Sequence, residues 1–262
     1  MPNWVTNRIR IEGKDAKAVL FAHLAKDENG QEAFDFNTIE RMPEELKVEK
    51  SSRSLDGLLL YIAKINPLID VIGDKRDKVV PVKKFIGLLE KAFNTNDYER
   101  IGVCVIKPKQ IEELKEKYNG KFYATIDLGK KVFDNLCKFG VPDWYEWSIR
   151  NWGTKWNSCN TFLSEDGKSV YFDTAWSPAV PAIEKMARMH PNVRIVHEYA
   201  EEQTGFMSGR YVYENGLAVE ENQFDPYSKE AYEMSFDLWG NEEDYDFDEK
   251  IGNYVQKEEA EL

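Results

Sequence analysis

A chain of 262 residues, with 42% hydrophobic and 13% aromatic side chains, can bury roughly 70–75% of its extended surface in one large or two small domains. Its net charge of −12 is unevenly placed: residues 218–262 carry 15 Asp/Glu against 3 Lys/Arg, and the rest of the chain balances at 32 of each. A neutral body with an acidic end lacks the clustered Lys and Arg that phosphate contacts require, so direct nucleic-acid binding is not expected.

Residues 4–12 alternate as a half-buried strand does and end at Gly13. Residues 14–26 place Ala16, Val19, Leu20, Leu24 and Ala25 at helical spacing. A stretch of about a hundred residues follows that reads as mainly helical. Its helices are expected over 55–65 after Ser54 as N-cap, 82–94 after Pro81, 109–118 after Pro108, and 129–139 closed by Gly140.

The clearest local signal comes next. Asn157–Glu165 and Lys168–Thr174 are strand-like and flank Asp166-Gly167, a strong two-residue hairpin turn. Pro178 opens a helix through Val180, Ile183, Met186 and Ala187, which His190-Pro191 stops, and residues 193–199 form the next strand. Asn215-Gly216 joins one more hairpin, Arg210–Glu214 with Leu217–Glu220. The order strand, helix, insertion, strand, strand, helix, strand is the ferredoxin-like βαββαβ order, an α+β fold with an antiparallel sheet and one extra β-hairpin. The expected parts are a core from 1–40 and 144–222, a helical insertion over 41–143, and a C-terminal helix and acidic tail over 223–262. That last helix is read as starting at Asp225-Pro226, with Ala231, Tyr232, Ser235, Leu238 and Trp239 on one face and Gly240 at its end. Beyond it, acids interleave with aromatics in the manner of a disordered or partner-folded tail.

Catalytic signatures are missing. No phosphate loop, dinucleotide glycine fingerprint, nucleophile elbow or HExxH motif occurs, and Gly205–Gly209 lacks the lysine a phosphate loop needs. The three cysteines, Cys104, Cys137 and Cys159, have no CxxC spacing, which argues against a disulfide framework and a zinc site and suits a reducing cytoplasm. His23, His190 and His197 are scattered and read as structural. No cofactor or metal is therefore expected, and no motif supports an enzymatic activity. The first residues lack a basic-then-apolar leader, and the longest apolar run, Leu58 to Ala63, is too short to cross a bilayer. A basic group, Lys75, Arg76, Lys78, Lys83 and Lys84, reads as a solvated helix entry.

Two candidate surfaces remain. If Asp166 and Gly167 make a two-residue turn, facing residues have numbers summing to 333, so Asn160 faces Asp173 and Trp156 faces Ser177 unless a bulge intervenes. This brings Trp152, Lys155, Trp156, Asp173 and Trp176 to one end of the hairpin. They make either a recognition pocket for a small ligand or nucleotide, or a plug for the end of the core. The second surface is Glu242, Glu243, Asp244, Asp246, Asp248 and Glu249, which either engage a partner or only aid solubility.

The same residues carry a resemblance. Met1-Pro2-Asn3-Trp4, Phe34-Asp35-Phe36-Asn37, Met42-Pro43-Glu44-Glu45-Leu46, Asn151-Trp152-Gly153-Thr154-Lys155-Trp156, Phe172–Pro178 and Gly209-Arg210-Tyr211 resemble the YubB ferredoxin-like family over about 1–46 and 144–240. The resemblance implies a ferredoxin-like fold on a phage- or plasmid-borne accessory protein in the cytoplasm of a bacterial host, and no catalytic residues. The resulting expectation is a protein that binds a host protein, with counter-defence by an acidic, nucleic-acid-mimicking surface as its role.

Overall fold

The computed structural model describes residues 2–26, 30–65 and 108–257. In chain order the elements are β1 (Trp4–Glu12), α1 (Ala16–Ala22), β2 (Leu24–Lys26), β3 (Glu32–Phe34), α2 (Ser52–Ile65), α3 (Pro108–Lys117), α4 (Phe122–Phe139), α5 (Trp144–Trp152), β4 (Cys159–Leu163) and β5 (Ser169–Ala175). There follow α6 (Val180–Met189), β6 (Arg194–Glu201), β7 (Ser208–Glu214), β8 (Leu217–Gln223), α7 (Lys229–Trp239), β9 (Tyr245–Asp248) and β10 (Asn253–Gln256). The helix expected over 82–94 and the basic group Lys75–Lys84 lie outside the described residues. The chain divides into two compact units, Met1–Arg41 with Ser148–Leu262, and Met42–Trp147.

In the first unit six antiparallel strands form one sheet in the order β4-β5-β1-β6-β7-β8. The strands of the βαββαβ motif are β1, β4, β5 and β6, and their spatial order is the one the ferredoxin-like fold requires. β7 and β8 add the extra hairpin. The protein is thus α+β with a large antiparallel sheet. Burial follows the period of two: Val5, Asn7, Ile9 and Ile11 of β1 are buried, and the residues between them are not. That face packs against Ala16, Val19 and Leu20 of α1 and Ala182, Ile183, Met186 and Ala187 of α6. Phe34 stacks on Phe172 at 4.9 Å to fill the core between them.

The opposite face is partly covered by α7. Arg8 of β1 reaches Glu198 of β6 at 2.8 Å and Asp237 of α7 at 2.5 Å, and Arg210 joins Glu198 to Glu220. Glu198 is only 6% exposed, so its charge needs both arginines. Among the described residues β8 pairs with β7 on one side only, and Leu217 and Val219 stand exposed on it. Opposite Val212 and Tyr213 the register shifts, leaving Val219 as an extra residue in β8.

Several boundaries differ from the sequence reading, each for a physical reason. The first helix ends at Ala22 because the His23 ring is held by Thr38 and His190, and the His23 carbonyl accepts from Asp35 N–H at 2.9 Å. This pulls Leu24–Lys26 into a strand beside β3. The helix after Pro226 starts at Lys229: Ser228, not Asp225, caps it by accepting from Ala231 N–H at 3.2 Å. Its buried face is Ala231, Ser235 and Phe236, while Trp239 lies at the rim with its indole N–H on the Ala200 carbonyl. The hairpin at Asn215-Gly216 has both residues at positive φ (52° and 77°) between the paired Glu214 and Leu217, the turn those residues favour.

The second unit is helical where described. α2 begins earlier than Ser54, because Ser51 and Ser54 cap each other's backbone N–H. α4 starts at Phe122, well before the expected 129, and ends at Gly140, whose φ of 71° returns its N–H to the Leu136 carbonyl. α2 and α4 meet at Gly57 and Gly129 so closely that a Cβ on Gly129 would lie 1.9 Å from the Gly57 backbone.

Candidate functional site

The hairpin turn keeps its expected register near the loop, with Leu163 facing Val170 and Phe162 facing Tyr171. Farther along, a bulge intervenes and Cys159, not Asn160, faces Asp173. Asn160 is the residue squeezed out, at φ 51°, and its side chain turns back to donate to Asp173 Oδ2 at 2.9 Å. Asp173 Oδ1 accepts from Thr6 Oγ1 at 2.7 Å. Both carboxylate oxygens are therefore engaged in holding the bulge against β1.

The two tryptophan-bearing motifs do meet at the end of β5, and hydrogen bonds stitch them together. Thr154 Oγ1 donates to the Ala175 carbonyl at 3.1 Å, Ser177 Oγ to the Gly153 carbonyl at 2.7 Å, and Ser148 Oγ to the Lys155 carbonyl at 2.8 Å. Gly153 has φ 85°, and a Cβ there would lie 2.3 Å from Pro181 Cδ, so the tight turn needs glycine twice over. From below, a buried polar group fixes the second motif. Asn7 donates to Thr174 Oγ1 at 2.8 Å and to the Val5 carbonyl at 2.9 Å, while its own carbonyl oxygen accepts from Ala179 N–H and from His197 Nε2. Thr174 in turn donates to the Ser177 carbonyl at 2.8 Å.

On this frame the six residues of the Asn-Trp-Gly-Thr-Lys-Trp motif divide by role. Asn151 accepts from Lys185, which also pairs with Glu40. Trp152 is 4% exposed, packs 5.8 Å from Phe36 and donates its indole N–H to the Glu40 carbonyl, so it belongs to the core and not to a pocket. Lys155 and Trp156 face outward. The Lys155 ammonium lies 4.3 Å from the ring centroids of both Trp156 and Trp176, forming a clasp of two indoles about one cation. Trp156 is 39% and Trp176 47% exposed. Trp176 holds φ 70°, a conformation that costs a bulky L residue about 1–2 kcal/mol, and its N–H is tied to the Asn3 carbonyl at 2.9 Å. Trp4, absent from the sequence-derived set, stands 6.3 Å from Trp156. The pairing of β1 with β5 places Trp4 opposite Ala175, which only the strand order reveals.

As far as residue 257, where the described residues end, the acidic segment is folded. β9 and β10 form a hairpin whose Tyr245 and Tyr254 pack on Phe236 of α7 at 5.3 and 5.0 Å. Composition concealed this, because Tyr245 is interleaved with acids and its partner Tyr254 lies nine residues further on. Glu242, Glu243, Asp244, Asp246 and Glu249 are exposed, while Asp248 is half-buried and accepts from Lys250 N–H at the turn. Lys257 reaches Asp246 at 3.7 Å and the Glu243 carbonyl at 2.6 Å. Beside the acids, Phe247, Ile251 and Val255 are exposed.

The histidines are structural in position. His197 is fully buried; its Nε2 carries the proton it donates to Asn7 Oδ1 at 2.9 Å, while its Nδ1 has no partner among the described residues. Burial pushes it down to about 3. His23 is pushed down to about 4 by burial and by His190, whose Nε2 lies 2.8 Å away. Thr38 Oγ1 donates to the Asp35 carbonyl and so accepts from His23 Nδ1–H; His190 Nε2–H is then the donor to His23 Nε2. Burial also raises the Cys159 thiol to about 11, which keeps it protonated. Among the described residues no three His, Cys, Asp or Glu side chains are gathered to hold a metal ion, and no helix is long and apolar enough to cross a membrane.

Residues 151–248 match the family model of the ferredoxin-like domain in Api92-like protein. The match spans the tryptophan clasp, five of the sheet's six strands (β4 to β8), α6, α7 and β9. It agrees with a ferredoxin-like fold. Among solved structures, the chain is similar to protein api92 from Yersinia pseudotuberculosis, at 12% identity and a TM-score of 0.37 over 86% of this chain and 98% of that one. No curated protein matches the chain.

Proposed function

We propose that this chain is an accessory protein of a phage or plasmid that acts by binding a basic, nucleic-acid-handling protein of its bacterial host, as a counter-defence inhibitor. The observation that carries the reading is the ordered acidic segment before and within the hairpin: the excess acid of the chain lies within residues 218–262, and Glu242, Glu243, Asp244, Asp246 and Glu249 are exposed on or beside the paired strands β9 and β10. An ordered support lowers the entropy cost of docking that a loose tail would incur. Carboxylates complement a groove built for phosphates, and the neighbouring Phe247, Ile251 and Val255 supply apolar anchors. The resemblance to the YubB family supplies the mobile-element context and the host cytoplasm as the setting.

The test replaces Glu242, Glu243, Asp244, Asp246, Asp248 and Glu249 by their amides in the full chain, which keeps Tyr245 and Tyr254 on Phe236. Both proteins are used to capture partners from nuclease-treated bacterial lysate at low and high salt. A basic DNA- or RNA-binding protein retained by the parent, lost with the amide variant and released by salt is the expected result. Equal capture by both proteins refutes the role of the acidic surface.

A further inference from the structure

We propose that the Trp156–Trp176 clasp is a binding site for a soft organic cation, a guanidinium or methylated ammonium group, and that Lys155 is its resident occupant, displaced when such a ligand arrives.

Three observations lead there. The first is geometric: two indole faces converge on one point, and an ammonium already sits at that point, 4.3 Å from each ring centroid. The structure itself shows that this place accepts positive charge, well within the distance over which an aromatic face attracts a cation.

The second is that these two tryptophans are not core filler. Trp152, in the same motif, shows what a structural tryptophan looks like here: 4% exposed, with its indole N–H on the Glu40 carbonyl. Trp156 and Trp176 keep 39% and 47% of their surface in solvent. The third is strain. Trp176 is held at φ 70°, where glycine or asparagine would sit without cost, and the Asn3, Thr174 and Ser177 bonds hold the turn in that shape. A frame that fixes an exposed indole against its backbone preference is organised to aim that ring.

The nature of the ligand follows from the occupant. A lysine ammonium is compact and strongly hydrated, on a flexible four-carbon stem, so it gives up much hydration for its place between the rings. Guanidinium and methylated ammonium groups are more weakly hydrated and present broader surfaces to an indole. The Lys155 carbonyl accepts from Ser148 Oγ, so this part of the turn is held through the backbone. Asp173 has both oxygens engaged by Thr6 and Asn160, so recognition rests on the rings and not on this carboxylate.

The experiment uses the full chain and tetramethylammonium as probe, with sodium at equal ionic strength as control and AMP as a second titrant. The readout is the upfield ring-current shift of the probe's methyl protons, which only a position over aromatic faces produces. Saturable binding to the parent is expected, with roughly ten-fold tighter binding to Lys155→Ala because the competing ammonium is gone. Trp156→Leu loses the shift in both backgrounds, and Trp176→Leu does the same. Trp156→Leu alone decides the point if relief of the Trp176 strain alters the turn. The proposal is overturned if Lys155→Ala binds the probe no tighter than the parent, or if no saturable shift appears in either protein. It is also overturned if AMP binds the parent and is lost with Lys155→Ala, since Lys155 would then be a contact to an anion and not a resident cation.

Discussion

Lowering the pH from 7 to 5 should weaken the first unit through its buried histidines. His197 lies at the centre of the sheet, its Nε2–H given to Asn7 and its Nδ1 facing no acceptor among the described residues, so a second proton there would be a buried charge. Its folded pKa is depressed to about 3 from the 6.5 of a free imidazole. The unfolded chain therefore takes up a proton below pH 6.5 while the folded chain does not, and stability falls with pH across the window from 6.5 towards 3. By pH 5 the loss from His197 comes to about 2 kcal/mol relative to pH 7. His23, depressed to about 4 by the same burial and by His190, adds a similar amount. Against a total domain stability of about 5–15 kcal/mol this is a large fraction. Urea unfolding followed by tryptophan fluorescence at pH 7, 6 and 5 measures it. In His197→Gln, whose side-chain amide still donates to Asn7, the fall from pH 7 to 5 should shrink by about half. An unchanged urea midpoint over that range, or an unchanged pH dependence in the variant, would refute the reasoning.

Two further outcomes follow from packing. Gly129→Ala puts a Cβ 1.9 Å from the Gly57 backbone, where no side chain can swing aside, so α2 and α4 must separate at a cost of about 3 kcal/mol, read as a lower melting temperature of the helical unit. Phe236→Ala removes the ring that Tyr245 and Tyr254 pack against and should cost about 3 kcal/mol. Amide exchange should then accelerate in Tyr245–Asp248 while β1 and β6 stay protected; equal acceleration in both would place the hairpin in the same cooperative unit as the sheet.

How much the residues alone disclosed depended on whether the information was local. Asn215-Gly216 names its own turn, because only residues that tolerate positive φ suit it, and the hairpin came out as expected. The Asp166-Gly167 hairpin was legible only near its loop. Three residues from its far end Asn160 bulges out, held there by Asp173 and Thr6 of a strand more than 150 positions away. The end of α1 was missed for the same kind of reason, since His190 lies far along the chain. In the candidate site, the convergence of the two tryptophan motifs was readable from hairpin arithmetic. The inward turn of Trp152 was not, because it depends on the carbonyl of Glu40, nor was the place of Trp4. The acidic segment misled by composition: Tyr245 and Tyr254 outweigh the charge around them once Phe236 of α7 supplies a surface.

The open side of the sheet has a consequence for how molecules of this protein meet one another. β8 has a neighbour on one side only among the described residues, and Leu217 and Val219 lie exposed along it. Such an edge is a template on which another extended chain can build. What separates two edges here is charge repulsion from the exposed Glu221, together with the kink that the extra residue at Val219 introduces. Repulsion of that kind is screened within a few ångströms in concentrated salt. A high-salt preparation therefore removes one of the two barriers to edge-to-edge association and leaves the bulge alone to keep the chains apart.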